Sequence, residues 1–98
     1  MSTPSQQEKR ERKAWLLAFG QAVQARRASS GLTQEQLAYR TGLDQTYVSG
    51  VERGRRNPTV LVVWRLASGL GTSLNDLLQT AEKIENGTYV PVNDKDSA

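Results

Sequence analysis

Gln45, Thr46, Ser49 and Gly50 fall on one side of a single expected helix, and Arg53, Arg55, Arg56 and Asn57 follow it in the next loop. A solvated helical face usually carries Lys and Glu. A face built from an amide, two hydroxyls and a glycine suits base edges instead, because Gln can chelate adenine and Thr or Ser can meet several bases. Gly50 costs about 1 kcal/mol relative to Ala inside a helix, a cost expected where a duplex must come close to the backbone. The three arginines combine charge with reach, and their place at the helix end sets them beside phosphates rather than over bases. Gln34, opening the preceding helix, can donate to a phosphate alongside free backbone N–H groups.

Composition leaves few rival chemistries. The 98 residues include no Cys and no His, which removes disulfides, thiolate metal sites, cysteine nucleophiles and the commonest general base. The ten acids are scattered singly among basic residues, so neither a carboxylate metal site nor an acid/base pair is suggested. No enzyme activity, metal, cofactor or small-molecule ligand is expected. No apolar run of membrane-spanning length and no signal-type N-terminus is visible, so residence in a reducing cytoplasm is the simplest expectation. Residues 1–56 hold ten Lys or Arg against five acids, whereas residues 57–98 hold three against five. That asymmetry is the footprint expected of a nucleic-acid binder.

Five helices are expected to position these groups, giving a compact all-α domain over 14–86 between a polar extension (1–13) and a C-terminal tail (87–98). Residues 1–7 read as disordered. The first helix runs from about Glu8 to Ser29, with Trp15, Leu16, Phe19 and Val23 at helical spacing. Lys9, Arg10, Arg12 and Lys13 alternate with Glu8 and Glu11, so pairing at i,i+4 is expected to use much of that charge, as a solvated helix start rather than a DNA-reading arm. Thr33 and Gln36 form a capping box opening the second helix, and Asp44 caps the third, which runs towards Gly54. Pro58 is placed near the first turn of the fourth helix, whose inner face is read as Val60, Val63, Ala67 and Leu70. Ser73 caps the fifth, which carries Leu74, Leu77, Leu78, Ala81 and Ile84 inward. The Tyr89–Val92 stretch carries no assignment.

Only Thr41-Gly42-Leu43 separates helices two and three. Such a corner needs a small inner residue, met by Ala38, and a positive φ, met cheaply by Gly42. Leu43, Val48 and Val51 anchor the helix that follows. A small residue, a glycine four later, and aliphatics six and nine after that reproduce the spacing of a DNA-binding helix-turn-helix.

On these residues the stretch GLTQEQLAYRTGLDQTYVSGVERGRRNPT resembles the phage lambda repressor and Cro-like helix-turn-helix family, often called the XRE family. Through LDQTYVSGVERGRRN it is similar to the controller proteins of restriction-modification systems. The resemblance is strong over 31–59, fair over 19–80, and absent from 1–13 and 87–98. It implies a lambda-repressor-like five-helix domain, dimeric on DNA, that regulates transcription, often of its own operon. Taken alone, Tyr47 reads equally as a core-edge aromatic and as a DNA contact; the resemblance implies contact. An acid at Glu52 would repel phosphate unless it turned inward, and the resemblance supplies Arg27 as its partner.

One helix-turn-helix unit covers too little DNA for much specificity, so a homodimer is expected. Leu61 and Trp64 lie off the expected inner stripe of the fourth helix and form an apolar patch that a monomer usually avoids. With Leu78 and Ala81 of the fifth helix they are read as the two-fold interface. The leading expectation is a sequence-specific transcriptional regulator, a repressor or autoregulator, binding an inverted repeat in double-stranded DNA. The alternative is a helical protein-interaction module or antitoxin whose main partner is a protein.

Overall fold

A computed structural model describes residues 3–91; the start of the N-terminal segment expected to be disordered and most of the expected tail lie outside the described residues. Five helices follow one another: α1 Gln6–Ser29, α2 Gln34–Thr41, α3 Gln45–Glu52, α4 Val60–Gly69 and α5 Leu74–Glu85. Among the described residues there is no strand, and no helix is long and apolar enough to cross a membrane. The fold is all-α.

Each helix opens on a side chain that satisfies an otherwise orphaned backbone N–H. Ser5, Thr33, Asp44, Thr59 and Ser73 accept from the first turns of α1 to α5 respectively. At α2 the box is reciprocal: Thr33 Oγ1 accepts from Gln36 N–H at 3.1 Å, and Gln36 Oε1 accepts from Thr33 N–H at 2.8 Å. Pro58 is not in the first turn of α4. It precedes the cap, because the Thr59 hydroxyl is the group that accepts from Val62 N–H. The chain turns between α2 and α3 at Gly42, whose φ of 70° is the left-handed value expected of it.

α1 packs lengthwise along α5 and crosses α3, while α2 packs against α3 and α4. Val23, Leu37, Val48, Val51, Leu66 and Leu77 are the largest fully buried side chains, and they join all five helices in one core. Two sequence expectations are corrected here. Val60 is 75% exposed and Leu66 is fully buried, so the inner face of α4 is centred on Val63, Leu66, Ala67 and Leu70. Trp15 is on the core side of α1 but 42% exposed, since it lies a turn beyond the first fully covered residues, Ala18 and Phe19.

The α1–α3 crossing depends on a residue that breaks the run of helix formers. A Cβ at Gly20 would come within 2.6 Å of the Glu52 carbonyl oxygen and would also strike that of Val51. No larger residue fits without moving α3.

Beside this crossing stands a buried acid. Glu52, its side chain 3% exposed, accepts from Arg27 Nε at 2.6 Å, from Arg27 Nη2 at 3.0 Å and from Gln34 Nε2 at 3.0 Å. Arg27 Nη1 donates at 2.8 Å to the Leu32 carbonyl in the α1–α2 connection. One carboxylate therefore ties the end of α1, the start of α2 and the end of α3. Its hydrogen bond is the main reason the Arg27 pKa is raised. The cationic form is favoured at every pH below arginine's ordinary range, so the guanidinium remains charged wherever the fold is studied.

Two outcomes follow in urea or thermal melts. Gly20→Ala forces a methyl into backbone rather than into a flexible side chain, and is expected to cost about 3 kcal/mol despite the better helix propensity of Ala. Glu52→Gln strands Arg27 and is expected to cost about 3 kcal/mol, whereas replacing Arg27 and Glu52 together by apolar residues should cost less than the single change. An unchanged melting temperature for Glu52→Gln would remove the carboxylate from its structural role.

Candidate nucleic-acid interface

With its inner face occupied by Val48, Val51 and Glu52, α3 leaves Gln45 and Thr46 exposed, and Ser49 is half-buried. Asp44 holds the start of the helix, its Oδ1 accepting from Thr46 N–H at 2.7 Å. It acts as the cap, and the exposed side chains begin one residue later.

The loop after α3 is fixed as firmly as the helix. Gly54 N–H donates to the Val51 carbonyl at 3.0 Å, and Arg55 N–H donates to the Gly50 carbonyl at 2.9 Å. This is a Schellman closure, with Gly54 at φ 72° in the left-handed position it requires. A Cβ on Gly54 would stand 3.0 Å from the Cα of Leu17, so the turn is also pressed onto the α1 backbone. Arg53, Arg55, Arg56 and Asn57, all exposed, project from this anchored turn.

Tyr47 is half-buried and packs against the core, and the Arg56 guanidinium lies 5.7 Å from its ring centroid. That distance is within the range of a cation–π contact. Arg56 also explains Gly50. The glycine is buried, not part of an open surface, and a Cβ there would stand 3.0 Å from Arg56 Cγ and 3.2 Å from its Nε. The close approach inferred from the cost of a mid-helix glycine is thus made by the protein's own arginine, which folds back across α3.

Gln34 likewise has a partner inside the protein. It is half-buried at the first position of α2, and its amide donates to Glu52. One amide N–H is therefore engaged inside the protein, leaving the other for any phosphate.

On α4 and α5, Leu61 and Trp64 are 57% and 54% exposed, and Leu78 is 45% exposed. Val60, whose spacing places it on the inner face of α4, joins them as an exposed apolar side chain. Ala81 is fully buried and cannot face a partner. It follows Leu77 by four residues on the stripe that α5 turns inward, so both fill the core. Sequence reasoning also missed two internal uses of arginine. Arg26 donates to the Thr80 hydroxyl at 3.0 Å and Arg40 to the Gly69 carbonyl at 3.3 Å. Both count towards the basic half of the chain, yet each is tied into the fold, and no local spacing announces partners so distant in sequence.

A helix-turn-helix family model matches residues 23–77, from the last two turns of α1 into α5. The HTH-type transcriptional regulator y4dJ of Sinorhizobium fredii is 45% identical over 62 residues, a span of 63% of this chain and 80% of that protein. The crystal structure of the restriction-modification controller protein C.AhdI from Aeromonas hydrophila superposes with a TM-score of 0.62 at 44% identity, covering 63% of this chain and 94% of the other. The controller C.Esp1396I, solved as a tetramer in complex with its natural 35 base-pair operator, superposes with a TM-score of 0.69 at 33% identity, covering 74% and 95%. With α2, the Gly42 corner and α3 arranged as described, and with these matches spanning most of the relatives' lengths, the chain belongs to the helix-turn-helix family of transcriptional regulators, alongside the restriction-modification controllers.

Proposed function

We propose that this protein binds an inverted-repeat operator in double-stranded DNA as a homodimer, laying α3 in the major groove. The observation that carries the reading is the pairing of exposed Gln45 and Thr46 with the anchored arginine loop one helix-length away. Base readout needs side chains held in fixed register, and phosphate contacts set that register. Here α3 is held at its end by Glu52, at its start by Asp44, and in the following loop by the Schellman closure.

In this arrangement Gln45, Thr46 and Ser49 address base edges. Arg53, Arg55 and Asn57 meet phosphates, Tyr47 and Arg56 lie at the groove edge, and the free N–H of Gln34 reaches the backbone at the other end. A dimer seated on promoter DNA denies the same phosphates to other proteins, so repression or autoregulation is its simplest effect. Such a protein works where the DNA is, in the cytoplasm. The operator-bound tetramer of C.Esp1396I supports both the ligand and the assembly.

Selection from randomised duplexes at moderate salt is expected to enrich a palindromic motif. Gln45→Ala should change the preferred base at one position per half-site, while Arg55→Ala should weaken all sequences alike and lower the log–log salt slope by about 1. Failure to enrich any palindrome would sink the proposal. On the dimer face, Trp64→Glu is expected to sediment as a monomer and to lose most operator affinity; a variant that remained dimeric would move the interface elsewhere.

A further inference from the structure

The helical extension that opens α1 forms a second basic surface, continuous with the arginine loop, and we propose that it runs along the phosphate backbone outside the helix-turn-helix contacts. This rests on the DNA-binding reading above and adds to it a segment that the family match, beginning at residue 23, does not include.

The inference comes from helical phase. α1 is one uninterrupted helix from Gln6, capped at Ser5, so residues four, seven and eleven apart share a face. Its side towards α3 is marked by Gly20, which meets the carbonyls of Val51 and Glu52, and by Leu17, which meets Gly54. Lys13 lies four residues before Leu17 and seven before Gly20. Arg10 lies seven before Leu17, and Lys9 lies four before Lys13 and eleven before Gly20. All three cations therefore stand on the side of α1 that, two turns further on, abuts the Arg53–Arg56 turn.

The acids are on the other side. Glu11 precedes Trp15 by four residues, Ala18 by seven and Ala22 by eleven, and Glu8 precedes Trp15 by seven and Phe19 by eleven. Arg12, seven before Phe19, goes with them. The alternation that looked self-neutralising in sequence is thus sorted by the helix into a basic face and a mixed one. Lys9, Arg10 and Lys13 are exposed, and none enters an ion pair among the described residues.

From Leu17 back to Gln6 the helix extends for about 16 Å at 1.5 Å per residue. Duplex DNA presents a charge roughly every 1.7 Å of its axis, so an extension of that length passes several phosphates. Cations that run along the phosphate backbone outside the groove meet phosphates and not base edges, which restricts the extension to sequence-independent grip.

The test is the triple variant Lys9→Gln, Arg10→Gln, Lys13→Gln, titrated with a random-sequence duplex and with the motif selected by the wild type, across 50–200 mM salt. The salt slope is expected to fall by up to about 3, near 0.9 per lost contact. Both duplexes should weaken by the same factor, and Glu8→Gln with Glu11→Gln should leave the slope unchanged. Because the chain has no native cysteine, a lone Lys13→Cys carrying a tethered iron chelate gives a second measurement on a minimally altered protein, and cleavage of the DNA backbone flanking the motif is expected. A wild-type slope in the triple variant, or no flank cleavage, while the wild type still enriches a motif, overturns the extension as a DNA contact and leaves the helix-turn-helix reading intact. A wild type that binds neither duplex overturns both.

Discussion

The Glu52 carboxylate is the interaction on which the rest of the molecule depends. Burying an acid in so small a protein is costly unless its oxygens are fully engaged, and here both are, by two guanidinium nitrogens and one amide. Those donors come from three places in the chain. The carboxylate consequently sets where α1 ends and α2 begins relative to the last turn of α3. It also turns a negative charge away from the exposed face of α3 proposed to meet DNA, so one residue serves the fold and the electrostatics together.

Two glycines complete what the ion pair begins. Gly20 lets the α1 backbone meet the end of α3, and Gly54 lets the following turn meet the α1 backbone again three residues earlier. Between them α1 becomes the rail against which helix and arginine loop are both set. The exposed face of α3 and the arginine loop therefore belong to one rigid arrangement instead of being a helix with a loose basic tail. The continuation of that rail past Leu17 is what gives the cations of the extension a defined direction.

Arginine has divergent fates in this fold. Arg27 is spent on Glu52, Arg26 on Thr80 and Arg40 on a helix-end carbonyl, while Arg53 and Arg55 stay exposed with no side-chain partner among the described residues. Arg56 is intermediate: exposed, yet folded over Gly50 and the Tyr47 ring. Net charge counts all of these alike, so the basic half of the sequence points to a class of partner without separating the arginines left exposed from those tied into the fold.

Much of the architecture was legible from local chemistry. Caps at Thr33, Asp44 and Ser73, the Gly42 corner, and the small Ala38 opposite it are decided by backbone hydrogen bonds and φ within a few residues, so the sequence by itself determined the helix-turn-helix and its place in the chain. Wherever the deciding neighbour was remote, the tertiary structure alone decided. Ala81 went to the core, and Val60 to the surface, because the positions of α1 and α4 in space set which stripe is covered. Gly50 faces Arg56 and Gln34 donates to Glu52, internal partners that no local spacing announces, since a helical wheel shows which residues share a face and not what lies across from it. The charges of 8–13 were ambiguous for the same reason. Alternation in sequence becomes segregation in space only once the helix is continuous and its phase is anchored by the contacts of Leu17 and Gly20.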